Sequence, residues 1–222
     1  MKTGHDGPLF ERIGLGVLEH LTRHHGAPVQ PAAEGDAAIL SGRVVLVSST
    51  HAGEGKSFVA QGLAAALAEQ QEGDVVWVDA AFDRPPRDPD ISRRGAAGLS
   101  EIMTLGSLQG LAPADAGPSR LWRLGRGVLA QPALLQRPDA VSKGLTALRA
   151  GFALVVLDAP TLDACGALLD AADACVMVVD SRRTSRTAAR AALSAAGLGP
   201  ERLAGLVLNH RPRPIPRWLG GD

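Results

Sequence analysis

Several features are scarce in this sequence, and each scarcity excludes a class of protein. Basic and acidic side chains balance at 23 each, and this zero net charge argues against a general binder of nucleic acid or membrane surfaces. No apolar run reaches the ~18 residues that span a bilayer, and the polar N-terminus lacks the apolar core of a secretion signal. We therefore expect a soluble, cytoplasmic protein, for which any association with a membrane comes through a partner or a surface patch.

Cysteine and tyrosine are the scarcest of the reactive side chains. The two cysteines, Cys165 and Cys175, lack the spacing of a metal or redox motif, so we expect two reduced residues of the core. Tyrosine is absent, and aromatic residues make up only 3% of the chain. This chain therefore offers no acceptor for phosphorylation on tyrosine.

The remaining composition, with 45% hydrophobic residues among 222, is enough for the core of one α/β domain. Helical spacing of apolar residues predicts an amphipathic helix over 8–25, and a segment rich in proline and alanine, 27–41, is typical of a linker. Beyond it, buried strands alternate with helices, which indicates a parallel sheet covered on both faces. The predicted strands are 43–48, 74–79, 154–158, 174–179 and 203–209; the predicted helices are 57–70, 98–105, 139–150 and 184–197.

A glycine-bearing loop joins the first of these strands to the next helix, between Ser48 and Ser57. Its glycines let backbone N–H groups turn toward an anion at the N-terminus of the helix. Lysine and serine at its end are the types that reach terminal phosphates and ligate Mg²⁺. The full phosphate-loop pattern has glycine at position 50, where this chain has Thr50. An ordinary glycine-rich turn is the alternative. The predicted nucleotide-binding residues here are Ala52, Gly53, Glu54, Gly55, Lys56, Ser57 and Phe58.

Two acidic residues close predicted strands, Asp79 after the second and Asp158 after the third. In an open parallel sheet, ligands lie beyond the carboxyl ends of the strands, where the phosphate loop also lies. We therefore predict that Asp79 and Asp158, with Ser57, hold Mg²⁺, directly or through water. Helix N-capping is the alternative role for either acid alone.

Three other groups of side chains carry weaker signals. The first helix bears three histidines with metal-ligand spacing, although a solvated face explains them better. A basic stripe precedes and enters the last helix, and basic residues with one tryptophan follow the last strand; each predicts either a solvated surface or contact with a partner. These groups are His20, His24 and His25; Arg182, Arg183, Arg186 and Arg190; and Arg211, Arg213, Arg217 and Trp218.

Taken together, the motifs resemble those of the bacterial tyrosine kinases (BY-kinases) of exopolysaccharide and capsule export, within the MinD/ParA-like P-loop ATPases. The resemblance covers 41–219. It includes Gly-Glu-Gly-Lys-Ser, then Val-Asp-Ala-Ala-Phe-Asp-Arg-Pro from Val78, the segments 98–102 and 157–160, and Val-Leu-Asn ending at Asn209. The fold it implies is the P-loop NTPase fold, with a twisted, mostly parallel sheet in a three-layer α/β arrangement. It divides the chain into a helix and linker, 1–40, and a nucleotide-binding domain, 41–222.

The resemblance also implies ligands and partners. The implied cofactors are ATP and Mg²⁺, and the implied catalytic residues are Lys56, Asp79 and Asp158. Asn209 would lie beside the adenine, although an ordinary turn residue is an equal alternative at that position. The implied partner is a membrane polysaccharide copolymerase or chain-length determinant, with a homo-oligomer as a further option and no nucleic acid.

The sequence departs from the family where chemistry would occur. This chain has Ala81 where the family's Asp-x-Asp motif has its second acid, and Asp83 where the motif has an arginine. The tyrosines that the family autophosphorylates are missing. Loss of a catalytic carboxylate commonly lowers a rate by roughly 10²–10⁴. His51 stands where ParA and MinD proteins carry a signature lysine. We therefore expect a nucleotide-binding regulator without tyrosine autophosphorylation. The alternatives are a kinase acting on a partner protein, a MinD/ParA-like ATPase and a non-catalytic scaffold.

Overall fold

The computed structural model describes residues 7–26, 42–84, 98–108, 114–115 and 120–210, of which 114–115 are described by backbone alone. The helices in this part of the chain are α1 (Gly7–His25), α2 (Lys56–Gln70), α3 (Leu99–Leu105), α4 (Pro138–Gly151), α5 (Ala167–Ala171) and α6 (Arg186–Ala195). The strands are β1 (Arg43–Ser49), β2 (Val75–Asp79), β3 (Ala114–Asp115), β4 (Leu121–Leu124), β5 (Leu154–Asp158), β6 (Ala174–Asp180) and β7 (Leu203–Asn209). Two 3₁₀ turns cover Pro132–Gln136 and Leu162–Ala164.

The strands form one sheet in the order β3-β4-β2-β5-β1-β6-β7. Six of them, from β4 to β7, are parallel, and the two-residue β3 pairs antiparallel with β4 at the edge. The predicted parallel α/β fold is therefore confirmed. Each of the five predicted strands is present, and β3 and β4 extend the sheet beyond them.

Side chains alternate between the two faces of the sheet, and each face is covered by helices. In β1, Val44 and Leu46 belong to the core under α3, α4 and α5, whereas Val45 and Val47 belong to the core under α1 and α2. The helices themselves are held by burial of apolar residues, since a fully buried leucine or valine contributes about 1.5–3 kcal/mol. The three-layer arrangement thus follows from strands that are apolar on both faces.

The first helix packs directly on α2. Its residues Phe10, Val17 and Leu21 are buried in the same core as α2. The ring of Phe10 lies so close to Gly62 that a Cβ there would be 2.4 Å from it, which explains the glycine inside a helix. The boundary at residue 41 stays a prediction, because 27–41 lie outside the described residues.

Most predicted boundaries hold within one residue, and α6 is the exception. The prediction of a helix from 184 was wrong by two residues, because Ser185 caps the N-terminus and its Oγ accepts a hydrogen bond from the backbone N–H of Ala188 at 3.1 Å. At the other end the same prediction ran two residues too far, since the helix ends at Ala195. Within the described residues, none of the helices is both long and apolar enough to cross a bilayer.

The register of the strands places the site. Asp79 and Asp158 are paired positions at the ends of β2 and β5, and Val47 of β1 is paired with Asp158. The loop after β1 therefore begins beside Asp158, and Asp79 lies one strand further along the sheet. This convergence of strand ends is the geometry that the sequence predicted.

Candidate functional site

The loop between β1 and α2 has the backbone of an anion cradle. Gly53 (φ 82°) and Gly55 (φ 97°) lie in the left-handed region that glycine adopts without strain. Gly55 is also the N-cap of α2 and carries no side chain to bond the first-turn N–H groups. Since that turn leaves N–H donors without an intrahelical partner, a phosphate can accept from them at the positive end of the helix dipole.

Glu54 holds this loop in shape from inside the protein. Its side chain is buried; Oε2 accepts from the N–H of His51 at 2.9 Å, and Oε1 accepts from the N–H of Asp180 at 3.1 Å. The hydroxyl of Thr184 donates to the same Oε1. Glu54 thus joins the loop to the turn after β6, and its carboxylate serves the scaffold instead of facing the cradle.

The turn after β6 brings a positive side chain to the loop. Backbone hydrogen bonds from Arg183 and Thr184 to the carbonyl of Asp180, at 3.0 and 2.9 Å, close this turn. A Cβ placed on Gly53 would lie 3.5 Å from Nη1 of the exposed Arg183. Among the described residues, Arg182 pairs with Asp180, whereas Arg183 has no acidic partner.

Asn209, at the end of β7, lies against the loop from the other side. Its Nδ2 donates to the carbonyl of Glu54 at 2.9 Å, and a Cβ on Gly55 would lie 2.2 Å from that nitrogen. Asn209 therefore requires glycine at position 55 and supports the loop directly. Its predicted place beside an adenine stays a prediction.

Lys56 and Phe58 both lie on the first turn of α2 but differ in surroundings. Lys56 is only 6% exposed, and burial lowers the pKa of its ammonium, against the opposing charges of Asp158 and Asp83. A phosphate would reverse that shift, because a nearby anion favours the charged form. The half-exposed side chain of Phe58 packs edge-on against Phe10, with ring centroids 5.5 Å apart.

The carboxylate of Asp79 is bound by an arginine that no sequence motif indicated. Arg126 donates through Nη2 to both carboxylate oxygens, at 2.7 and 3.0 Å, and through Nε at 3.2 Å. Both side chains are buried, at 6% and 7% exposure. Asp79 is therefore engaged in a bidentate ion pair. Its predicted role as a metal ligand stays a prediction, and this geometry allows it only through water or after rearrangement.

Arg84 lies between the two other predicted metal ligands. Its Nη2 donates to Oγ of Ser57 at 2.7 Å and to Oδ2 of Asp158 at 2.9 Å. The other oxygen of Asp158, Oδ1, is buried and has no hydrogen-bond partner among the described residues. Burial raises the pKa of this carboxyl group, while the hydroxyl of Ser57 and the charge of Arg84 act in the opposite direction.

These residues fit Mg²⁺ in part. A hydroxyl and a carboxylate oxygen are ligands that this hard cation prefers, and the unpartnered Oδ1 of Asp158 is a free acceptor. Position 81, where the BY-kinase motif that this chain resembles has its second acid, is the buried Ala81, and Asp83 is exposed. Within the described residues, no three His, Cys, Asp or Glu side chains form a metal cluster. Ser57 and Asp158 are thus the residues that would hold the metal, and it would retain water on its other positions.

The remaining predictions have definite outcomes where the structure describes them. The prediction of a solvated histidine face was wrong for His20, which is buried and bonds through Nε2 to the carbonyl of Glu201 at 3.0 Å. Cys165 and Cys175 are buried free thiols, as predicted, and burial raises the pKa of each to about 12. The four arginines from 182 to 190 are exposed. The basic tail, with Arg211, Arg213, Arg217 and Trp218, lies outside the described residues.

Comparison with solved structures identifies the fold. The kinase domain of VpsO and the BceF tyrosine kinase domain both superpose with a TM-score of 0.66 at 20% identity. The matches cover 95% and 93% of this chain, and 100% and 78% of theirs. A ParA family ATPase from Chlorobium tepidum TLS matches with a TM-score of 0.56 at 17% identity, over 78% of this chain and 76% of its own. Two other neighbours were solved with ATP or ADP.

The chain therefore has the P-loop fold that bacterial tyrosine kinase domains share with ParA-type ATPases. The sequence itself matches no protein-family model and none of the curated proteins.

Proposed function

We propose that the protein binds Mg·ATP at the loop 50–57 and acts as a regulatory, BY-kinase-like partner of a membrane polysaccharide copolymerase in exopolysaccharide or capsule production. The observation that carries this proposal is the uncapped N-terminus of α2 behind the left-handed Gly53 and Gly55, with Lys56 beside it. The pathway and the partner come from the resemblance of the motifs to those of the BY-kinases.

The residues divide the work of binding between them. Backbone N–H groups of the loop would donate hydrogen bonds to the β- and γ-phosphates, and the ammonium of Lys56 would neutralise their charge. Ser57 and Asp158 would hold Mg²⁺, whose chemistry is to neutralise charge that develops on the transferred phosphoryl group. Glu54 and Asn209 would keep the loop open in the absence of nucleotide, since their hydrogen bonds exist without it.

The same geometry argues for weak phosphoryl transfer. A general base must reach the proton that it abstracts, yet Ala81 carries no carboxylate and both oxygens of Asp79 accept from Arg126. The chain also contains no tyrosine, so transfer to itself on tyrosine has no acceptor. We propose that ATP serves as a bound effector and is hydrolysed slowly.

Isothermal titration with ATP and Mg²⁺ tests the binding step. We expect Lys56→Met to abolish measurable binding, because the charge that faces the phosphates is lost. Lys143→Met is the matched control, since that side chain is exposed and its Nζ donates to the carbonyl of Thr104, away from the loop. Equal affinities of the Lys56→Met variant and the unmodified protein would remove the proposal.

A kinase that acts on a partner protein is the second candidate, because bacterial tyrosine kinase domains share this fold. Incubation with ATP labelled at the γ-phosphate and with a membrane copolymerase distinguishes the two functions. We expect nucleotide binding without label on either protein. Label on a partner's tyrosine would establish the kinase and exclude a purely regulatory role.

A further inference from the structure

Arg84 contacts two of the side chains that the sequence predicts as ligands of Mg²⁺. Its guanidinium bridges Oγ of Ser57 and Oδ2 of Asp158, with both hydrogen bonds under 3 Å. Apart from Asp79, which is paired with Arg126, these two side chains are the predicted Mg²⁺ ligands. Arg84 already donates to Oγ of Ser57 and to Oδ2 of Asp158, so a divalent ion that binds both side chains would compete with the guanidinium for Ser57 and would meet its positive charge beside Oδ1 of Asp158.

The backbone of Arg84 is fixed, whereas its side chain can leave. Nη1 of Arg126 donates to the carbonyl of Arg84, so the ion pair of Asp79 and Arg126 also anchors the segment that carries Arg84. The side chain of Arg84 is 31% exposed, and that of its partner Asp158 is fully buried. Release of the guanidinium would therefore return it to water without opening the core.

From this arrangement we propose that Arg84 determines the metal dependence of nucleotide binding, by competing with Mg²⁺ for Ser57 and Asp158 and by placing its own charge beside the phosphates when no metal is bound. The proposal rests on nucleotide binding at the loop. A guanidinium is a planar, permanently charged donor that suits phosphate oxygens, so it can replace part of the metal's electrostatic role. The unmodified protein would then bind ATP almost as well without Mg²⁺ as with it.

Isothermal titration with ATP, once in excess EDTA and once in excess Mg²⁺, tests the proposal through the ratio of the two dissociation constants. We expect a ratio below about threefold for the unmodified protein and about tenfold or more for Arg84→Gln, where tenfold corresponds to 1.4 kcal/mol. Arg190→Gln is the control, because this arginine is exposed on α6, and it should keep the unmodified ratio.

The ratio separates this proposal from the proposed function. Absence of ATP binding by the unmodified protein in both buffers would remove the proposed function itself. Binding by the unmodified protein with an equal ratio in Arg84→Gln would overturn the role of Arg84 alone. The role of Arg84 would also be overturned if the unmodified protein bound ATP about tenfold or more weakly in EDTA than in Mg²⁺.

A second measurement needs no variant and no nucleotide. We expect Mg²⁺ alone to leave the melting temperature of the unmodified protein unchanged, because Arg84 occupies Oγ of Ser57 and holds its positive charge against Asp158. A rise in the melting temperature that saturates with Mg²⁺, and that CaCl₂ or NaCl does not reproduce, would show that the metal displaces the arginine without nucleotide and would overturn the proposal.

If Arg84→Gln does not fold, Arg84→Lys replaces it in the titration with ATP. One ammonium cannot reproduce the two donors of the guanidinium. We therefore expect the ratio of the dissociation constants in EDTA and in Mg²⁺ to exceed that of the unmodified protein.

Discussion

The phosphate loop lies beside the carboxyl ends of β2 and β5, which we call the acidic edge. The loop keeps the groups that its function needs, whereas the acidic edge does not. The loop at 50–57 has its supporting hydrogen bonds and leaves its N–H donors open to an anion. The acidic edge, formed by Asp79, Ala81 and Asp158, has lost one carboxylate, and arginines occupy the other two. The cradle is therefore ready for a phosphate, whereas the edge is already neutralised by the chain itself.

Under the proposed function, this difference separates the binding of a nucleotide from chemistry on it. Anion binding depends on the backbone N–H groups of the loop and on the ammonium of Lys56, both of which the chain keeps. Phosphoryl transfer depends on particular carboxylates at particular distances, and a single alanine removes one of them. This combination is the reason for proposing that the protein senses ATP more than it uses it.

The largest expected effect comes from breaking the buried ion pair of the acidic edge. Arg126→Ala leaves the carboxylate of Asp79 buried without an opposite charge, with the N–H of Ala81 still donating to it at 3.2 Å, and this should lower the free energy of unfolding by about 3–5 kcal/mol. Arg137→Ala breaks an ion pair whose members are exposed, with Asp139, and should cost less than about 1 kcal/mol. Urea unfolding measures both. Equal losses would contradict the buried pair.

The support of the phosphate loop gives the next largest effect. Each carboxylate oxygen of Glu54 accepts a hydrogen bond from a backbone N–H. In Glu54→Gln an NH₂ group replaces one of these oxygens, and two donors then face each other. We therefore expect a loss of about 2 kcal/mol in the free energy of unfolding. Glu69→Gln on the exposed side of α2 is the matched control and should be neutral. Thermal and urea denaturation compare the two. A neutral Glu54→Gln would show that the loop holds its shape without this carboxylate.

A smaller effect should appear in the pH dependence of stability. Because burial raises the pKa of Asp158, the folded state favours its protonated form, and this group lowers stability as pH rises above its unfolded value of 3.8. Asp158→Asn cannot titrate. The stability of this variant relative to the unmodified protein should therefore increase from pH ~4 to pH ~7. Urea unfolding across that range would contradict the assignment if the difference stayed constant.

The smallest effect concerns the rim of the cradle. Arg183 is exposed beside Gly53, so its charge is screened, and Arg183→Ala should weaken ATP binding by only about two- to fivefold. Arg186→Ala, on the first turn of α6, should leave the affinity unchanged. The effect of Arg183→Ala should also shrink as salt is raised. An effect that does not depend on salt would place the arginine in structural support instead.

The sequence predicted the parts of this site that are local in the chain. Gly-Glu-Gly-Lys-Ser after a buried strand predicts the loop, and an acid at the end of each neighbouring strand predicts its position in the sheet. Contacts between distant residues could not be predicted in this way. Arg126 meets Asp79 across 47 positions, and Glu54 meets Thr184 across 130. Such pairs depend on the register of packed elements, which a single sequence does not specify.

The fold was predictable for a related reason. Strands that are apolar on both faces and alternate with helices admit few arrangements, so the parallel sheet followed directly. The edge strands β3 and β4 were harder to predict, because they are short and carry weak patterns. His20 was misassigned because its partner, the carbonyl of Glu201, is distant in the sequence.

A crystal structure of the protein with a non-hydrolysable ATP analogue and Mg²⁺ tests the central claim most directly. We expect the β- and γ-phosphates to accept hydrogen bonds from the N–H groups of 52–57, with Lys56 beside them and the guanidinium of Arg84 displaced from Ser57 and Asp158. A nucleotide bound elsewhere, or an empty loop at saturating analogue, would contradict the assignment of this loop as a nucleotide site.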